Sequence, residues 1–126
     1  MLSSQQLVIT ALKRVKEVSV NELALLKKKG INLLDVREAD EVALGVIPGS
    51  IWVARGLLEF QIQAIVEQLN WNVKDEIYIS CRSGNRSALA AVTLLEMGFS
   101  QPISVAGGFT AWRDSNYPVS MDVLHF

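Results

Sequence analysis

Short, continuously apolar runs and amphipathic stretches take turns along this chain, and the two differ in period. Residues 31–36, 77–80 and 103–106 are apolar with little alternation, as strands covered on both faces require. Between the first two, Leu57, Leu58, Ile62, Ile65, Val66 and Leu69 recur at three- and four-residue spacing, which predicts a helix over residues 56–69. Ser4 is placed to cap a first helix over residues 4–16, with Leu7, Ala11, Leu12 and Val15 on one face. Residues 18–20 read as a short extended piece, and Asn21 as the N-cap of a helix that ends before Gly30. A short helix is expected over 37–44, stopped by Gly45; Pro48-Gly49 makes a turn into a third extended piece at 51–53. A further helix runs to about Met97 and stops at Gly98, and Gly107-Gly108 turns the chain into a short helix at 109–113.

Strands separated by crossover helices predict an α/β fold with a mainly parallel sheet covered by helices on both faces. The 126 residues, half of them hydrophobic, suffice for one core without disulfides. A single domain over 1–126 is expected, with its core at about 18–119 and the N-terminal helix outside that core. No internal repeat, low-complexity stretch or linker interrupts it.

Charge narrows the function classes. Net charge is −1 and the twelve Lys and Arg are dispersed, so nucleic acid is not an expected partner. The run Lys27-Lys28-Lys29 suits a solvated helix end. One cysteine excludes an intrachain disulfide and any Cys-rich metal site, so neither metal nor cofactor is expected. The one histidine, His125, is penultimate and is expected to fray, which leaves no Ser-His-Asp or Cys-His pair. Residues 1–6 lack the basic start of a signal peptide and no segment reaches transmembrane length, so a cytoplasmic protein without a membrane partner is expected. Oligomeric state is open, because the apolar stripe of the first helix serves a core or a dimer equally.

That single cysteine carries the chemistry. Cys81-Arg82-Ser83-Gly84-Asn85-Arg86-Ser87 follows directly on the run at 77–80 and leads into the helical stretch Ala88-Leu89-Ala90-Ala91-Val92. In parallel sheets ligands sit beyond the carboxyl ends of strands, where Cys81 falls. A helix start offers unpaired N–H groups and the positive end of a dipole, which favour a thiolate. Gly84 lets the loop curl so that successive amides converge on the sulfur. Two arginines with polar Ser83 and Asn85 predict a setting unlike a core, although a lone cysteine elsewhere is usually a small buried hydrophobe. A thiolate ringed by amides fits attack on phosphorus or attack on a sulfane sulfur. Four residues separate Cys81 from Arg86, one fewer than in cysteine phosphatases, and the smaller ring suits sulfur better.

These residues resemble the rhodanese family of sulfurtransferases. The loop from Cys81 to Ser87 resembles the active loop of its single-domain members. Leu34-Asp35-Val36-Arg37-Glu38, Ile47-Pro48-Gly49-Ser50, and Gly98-Phe99 with Val105-Ala106-Gly107-Gly108-Phe109-Thr110-Ala111-Trp112 resemble its other signatures, in the right order. Ala54-Arg55-Gly56-Leu57-Leu58-Glu59-Phe60 is similar to a segment of small bacterial members. The resemblance implies a five-stranded sheet and a double displacement: Cys81 takes sulfane sulfur from a donor such as thiosulfate, then hands it from a persulfide to a thiol or protein acceptor. It implies that the amides of Arg82, Ser83, Gly84, Asn85 and Arg86 surround the outer sulfur. Charge makes Arg82 the candidate for an anionic donor. Val46 stands where the family often has His before Ile-Pro-Gly, so a polar contact is missing there. Asp35 and Arg37 are expected to cap a turn or brace the active loop, Arg55 and Glu59 to form a surface pair, and Trp52, Trp71 and Trp112 to pack. A non-catalytic interaction or sulfur-sensing module of this fold, and a cysteine-dependent phosphatase or arsenate-handling enzyme, are the competing functions.

Overall fold

The computed structural model describes residues 1–125; residue 126, the last of the expected domain, lies outside them. Helix α1 (Ser4–Arg14) opens the chain, followed by β1 (Lys16–Val18), α2 (Val20–Lys27), β2 (Asn32–Asp35), α3 (Ala39–Val42) and β3 (Ile51–Trp52). A 3-10 turn (Arg55–Leu57) leads into α4 (Leu58–Leu69), then β4 (Glu76–Ser80), α5 (Asn85–Glu96), β5 (Gln101–Val105), α6 (Gly108–Asp114) and β6 (Leu124–His125). The strands form one sheet in the order β1-β5-β4-β2-β3-β6, every adjacent pair parallel.

Alternating side chains along each strand feed two cores, one on each face of the sheet. Leu34, Ile77 and Ile79 join Leu58, Ile62, Ile65, Ala90, Ala91 and Leu94 from α4 and α5. Leu33, Tyr78 and Ile103 point the other way, to Val20 and Leu23 of α2 and Phe109 and Trp112 of α6. Burying each such side chain stabilises the fold by about 1.5–3 kcal/mol. Helices therefore cover both faces, as the alternation of runs predicts.

Helix starts differ from expectation where reciprocal caps compete. Ser3, not Ser4, caps α1: its hydroxyl accepts from the Gln6 amide while the Gln6 side chain accepts from Ser3 N–H. Ser19, not Asn21, caps α2 through the same exchange with Glu22. Two bonds per box satisfy two otherwise unpaired donors, which a lone Asn cannot match. Asn21 instead accepts a hydrogen bond from the Tyr117 hydroxyl, 2.7 Å away. The first extended piece accordingly ends at Val18, two residues before its expected end, because Ser19 already belongs to the cap.

The sheet has six strands rather than the five the family resemblance implies. After α6 the chain is led back: Tyr117 stacks on Trp112 at 4.7 Å, and Trp112 Nε1 donates to the Pro118 carbonyl. Val46 and Ser120 then exchange both backbone bonds, at 2.8 and 2.9 Å. This routing lays Leu124–His125 along the free edge of β3, so His125 lies in an edge strand with its ring edge-on to Trp52. Among the described residues no helix is long and apolar enough to cross a membrane.

Candidate active site

β4 lies between β2 and β5, and Cys81 follows its last residue. The sulfur accepts from the Gly84 amide at 3.1 Å and the Ser87 amide at 3.3 Å. Ser87 Oγ lies 3.4 Å from Sγ and 2.8 Å from Ser104 Oγ on β5. Gly84 makes the curl possible with φ at +101°, and a Cβ there would press on the Gly107 nitrogen at 3.2 Å. Of the amides expected around the sulfur, that of Gly84 reaches Sγ, and it is joined by that of Ser87, which lies outside the expected set.

A second helix start grips the loop from behind. Phe109 N–H donates to the Cys81 carbonyl at 2.8 Å and Thr110 N–H to the Arg82 carbonyl at 3.0 Å. Because a trans peptide points its C=O and N–H in opposite directions, this grip turns the Arg82 and Ser83 amides away from α6. Gly108 is obligatory here: a side chain would run into the Cys81 and Arg82 carbonyls. The sequence shows Gly107-Gly108 only as a turn; its contact with the loop is long-range and leaves no local signal.

Cys81 itself is only 1% exposed and packs with Val36, Ile79 and Ala91. This corrects the expectation that the loop residues keep it out of a core. The loop's polar side chains Arg82, Ser83 and Asn85 point outward, while the sulfur sits at the bottom among amides.

The two loop arginines have separate fates. Arg86 is clamped by Glu41 of α3 through two bonds of 2.7 and 2.8 Å. That pairing pulls the Glu41 carboxyl down to about 2 from 4.5 and raises the Arg86 guanidinium. Arg86 thus fixes the start of α5 to α3, and much of its charge is spent on Glu41. Arg82 is exposed and makes no ion pair among the described residues. It lines a cleft of about 310 Å³ with Arg37, Arg113 and the carboxylates Asp40 and Glu41, beside Leu44 and Thr110.

Asp35 and Arg37 do both things the sequence suggests. The buried guanidinium binds Asp35 at 2.8 Å and the Gly45 and Glu41 carbonyls at 2.7 and 3.3 Å, closing the turn that carries α3. It also lies 4.3 Å over the Phe109 ring, beside the residue that holds the Cys81 carbonyl. Arg55 pairs with Glu59 and donates to Thr93 Oγ1, tying α4 to α5. Trp52 donates to the Arg37 carbonyl, Trp112 is buried in the core on the α2 and α6 face, and Trp71 packs against the core on the other face. Val46 is buried and bonded through its backbone alone. His125 is three strands from β4, roughly 14 Å at the usual strand spacing, and cannot act as the cysteine's base. Among the described residues no group of three or more His, Cys, Asp or Glu side chains could hold a metal.

Residues 19–115 match the family described as Rhodanese-like domain. The chain belongs to the rhodanese-like domain family. Similar members of known name include YrkF of Bacillus subtilis, a candidate sulfur carrier protein, 39% identical over 84 residues. That match covers 67% of this chain and 42% of YrkF, so the chain spans less than half of that relative. Thiosulfate sulfurtransferase 18 of Arabidopsis thaliana is 30% identical over 123 residues, covering 90% of this chain and 89% of its own. Among solved structures, a Rhodopseudomonas palustris protein of unknown function, described as a possible tyrosine phosphatase, has a TM-score of 0.85. It is 30% identical and the match covers 95% of this chain and 96% of its own. Helix α1, which lies on α5, falls outside the matched rhodanese-like region.

Sequence reasoning missed Glu41 and Ser104 as members of this site and gave Ser87, named within the loop, no role of its own. Ser104 did carry a signal: a hydroxyl within an apolar run needs a buried partner. Glu41 carried none, since it meets Arg86 across 45 residues.

Proposed function

We propose that this protein is a sulfurtransferase that carries sulfane sulfur on Cys81 from a donor such as thiosulfate to a thiol or protein acceptor. The observation that supports this most is the pair of amides, Gly84 and Ser87, aimed at the sulfur of the chain's single cysteine. In the first displacement the Cys81 thiolate attacks the outer sulfur of thiosulfate. The new S–S bond forms as the old one breaks, and sulfite departs with its electron pair. In the second, an acceptor thiolate attacks the outer persulfide sulfur and Cys81 leaves as thiolate, restoring the starting state. Arg82 holds the dianionic donor at the cleft, and the loop amides from Arg82 to Arg86 receive the negative charge on the outer sulfur.

Incubation with thiosulfate followed by intact-mass measurement is expected to add one sulfur atom, and Cys81→Ser to abolish the gain. A sulfur gain that survives the substitution overturns the assignment.

The description of the Rhodopseudomonas palustris protein favours a second reading, phosphatase chemistry at the same thiolate. Two features oppose it. The loop is one residue shorter than that chemistry uses, and Arg86 is already occupied by Glu41. Hydrolysis of an aryl phosphate faster than sulfur transfer would reverse the order.

A further inference from the structure

Two hydroxyls lie behind the reactive sulfur, and neither takes part in the displacement steps. Ser87 and Ser104 are both fully buried, their oxygens 2.8 Å apart. Ser104 Oγ has Ser87 Oγ as its one hydrogen-bond partner among the described residues, while Ser87 Oγ accepts from the Cys81 thiol at 3.4 Å, a contact that only the Ser87 proton can fill once the sulfur is ionised. Each hydroxyl has one proton, so the row Ser104–Ser87–Cys81 has only two ordered arrangements. When Ser104 donates to Ser87, the Ser87 proton is free to point at the sulfur. When Ser87 donates to Ser104, the sulfur must donate to Ser87, and the Ser104 proton is left without an acceptor. A buried, unsatisfied donor is the more expensive defect.

We propose that Ser104 is a positioning residue that sends the Ser87 proton toward Cys81 Sγ, and so favours the sulfur that carries negative charge over the protonated thiol. The proposal rests on the reading that Cys81 is the reacting sulfur. It adds the Ser87 hydroxyl to the two amides that face the sulfur, oriented by a residue of β5 rather than by the loop. Donation into Ser87 polarises its O–H, so removing Ser104 weakens the bond to sulfur without deleting it. Ser104 itself touches neither Sγ nor any reactant. The same bias serves every stage of the cycle at which Cys81 is ionised.

The surroundings make the effect readable. The charged groups about the loop are Arg82 and Arg86, Glu38, Asp40 and Glu41 at α3, Arg113 of α6, and the Asp35–Arg37 pair at the end of β2. The first turn of α6 and all of β5 contribute no charge. Glu41 is held at about 2 and Arg86 is raised, so neither changes charge across the range in which a thiol titrates.

The test is the pH profile of Cys81 alkylation by iodoacetamide, to which no other cysteine contributes. Ser104→Ala is expected to raise the midpoint by about 0.3–0.6 pH units, slowing alkylation two- to fourfold on the acid side. Ser87→Ala should raise it further, and Ser104→Thr, which keeps the hydroxyl, should restore the wild-type midpoint. A Ser104→Ala profile that superimposes on wild type overturns the proposal. So does a Ser104→Thr profile displaced as far as that of Ser104→Ala, which would assign the effect to packing. Thermal melting of each variant establishes that the folded protein is being compared. Because alkylation needs no sulfur donor, failure of thiosulfate to load the wild type would sink the sulfurtransferase reading while leaving this result interpretable.

Discussion

A methyl group on residue 108 would overlap the Cys81 carbonyl oxygen and lie 2.9 Å from that of Arg82. Both carbonyls are bound by the first turn of α6, so neither can give way without releasing the cysteine loop. Backbone conformation adds to the conflict, since φ at Gly108 is +55°. Gly108→Ala is therefore expected to cost about 3–4 kcal/mol of stability in urea denaturation and to abolish sulfur loading even in the fraction that folds. Gly30 separates the two causes. Its φ is +81°, yet a Cβ there would meet nothing within 4 Å. Gly30→Ala should cost only about 1 kcal/mol and leave loading intact. Equal losses at the two positions would show that backbone strain, not contact with the cysteine loop, governs residue 108.

Among the elements, the four-residue α3 is too short to hold itself and is fixed by its neighbours. Arg37 binds the carbonyls of the turn beneath it, and Glu41 projects from it onto Arg86 at the start of α5. Glu41 has a carboxyl lowered from 4.5 to about 2, chiefly by the hydrogen bond from Arg86. A depressed carboxyl stabilises the folded state above its unfolded value and loses that contribution as pH falls through the folded one. Glu41→Gln should thus be less stable than wild type by about 1 kcal/mol at neutral pH, the worth of a well-formed, partly exposed pair. The difference should hold down to about pH 5 and close as pH falls towards 2, measured by denaturation at stepped pH. A gap that stays constant to pH 2 would show that the pair does not carry the effect. Element order as far as α6, helix coverage and the position of Cys81 after its strand were legible in the sequence, because each depends on local period and punctuation. The grip of α6, the Glu41 clamp and the Ser104 contact were not. They join positions far apart in the chain, and Ser104 looks like one polar residue in an apolar run. The two-residue β6 has no periodicity to read; its place follows from the Trp112 and Ser120 contacts that route the chain to it.

For the whole molecule, strand order decides how firmly the sulfur is held. β4 carries Cys81 and has a parallel neighbour on each side, while the β1 and β6 edges lie two and three strands away. Its residues 77–80 are buried on both faces of the sheet, whereas β6 is exposed. Opening the amides of β4 requires separating β2 from β5 and losing both cores, which amounts to unfolding the domain. The amides of β3 and β6 need only the edge to lift. Hydrogen exchange followed by mass spectrometry should therefore find β4 among the slowest-exchanging segments, close to the global stability, and the peptide containing residues 124–125 among the fastest. Glu41→Gln should speed exchange at the start of α5 with little change in β4, since the clamp holds the loop and not the sheet. If β4 instead exchanged as fast as β6, the reactive sulfur would stand on a platform that breathes. Two amides and one hydroxyl could not then keep the geometry that thiolate stabilisation requires, because preorganised donors act only while they are held in place.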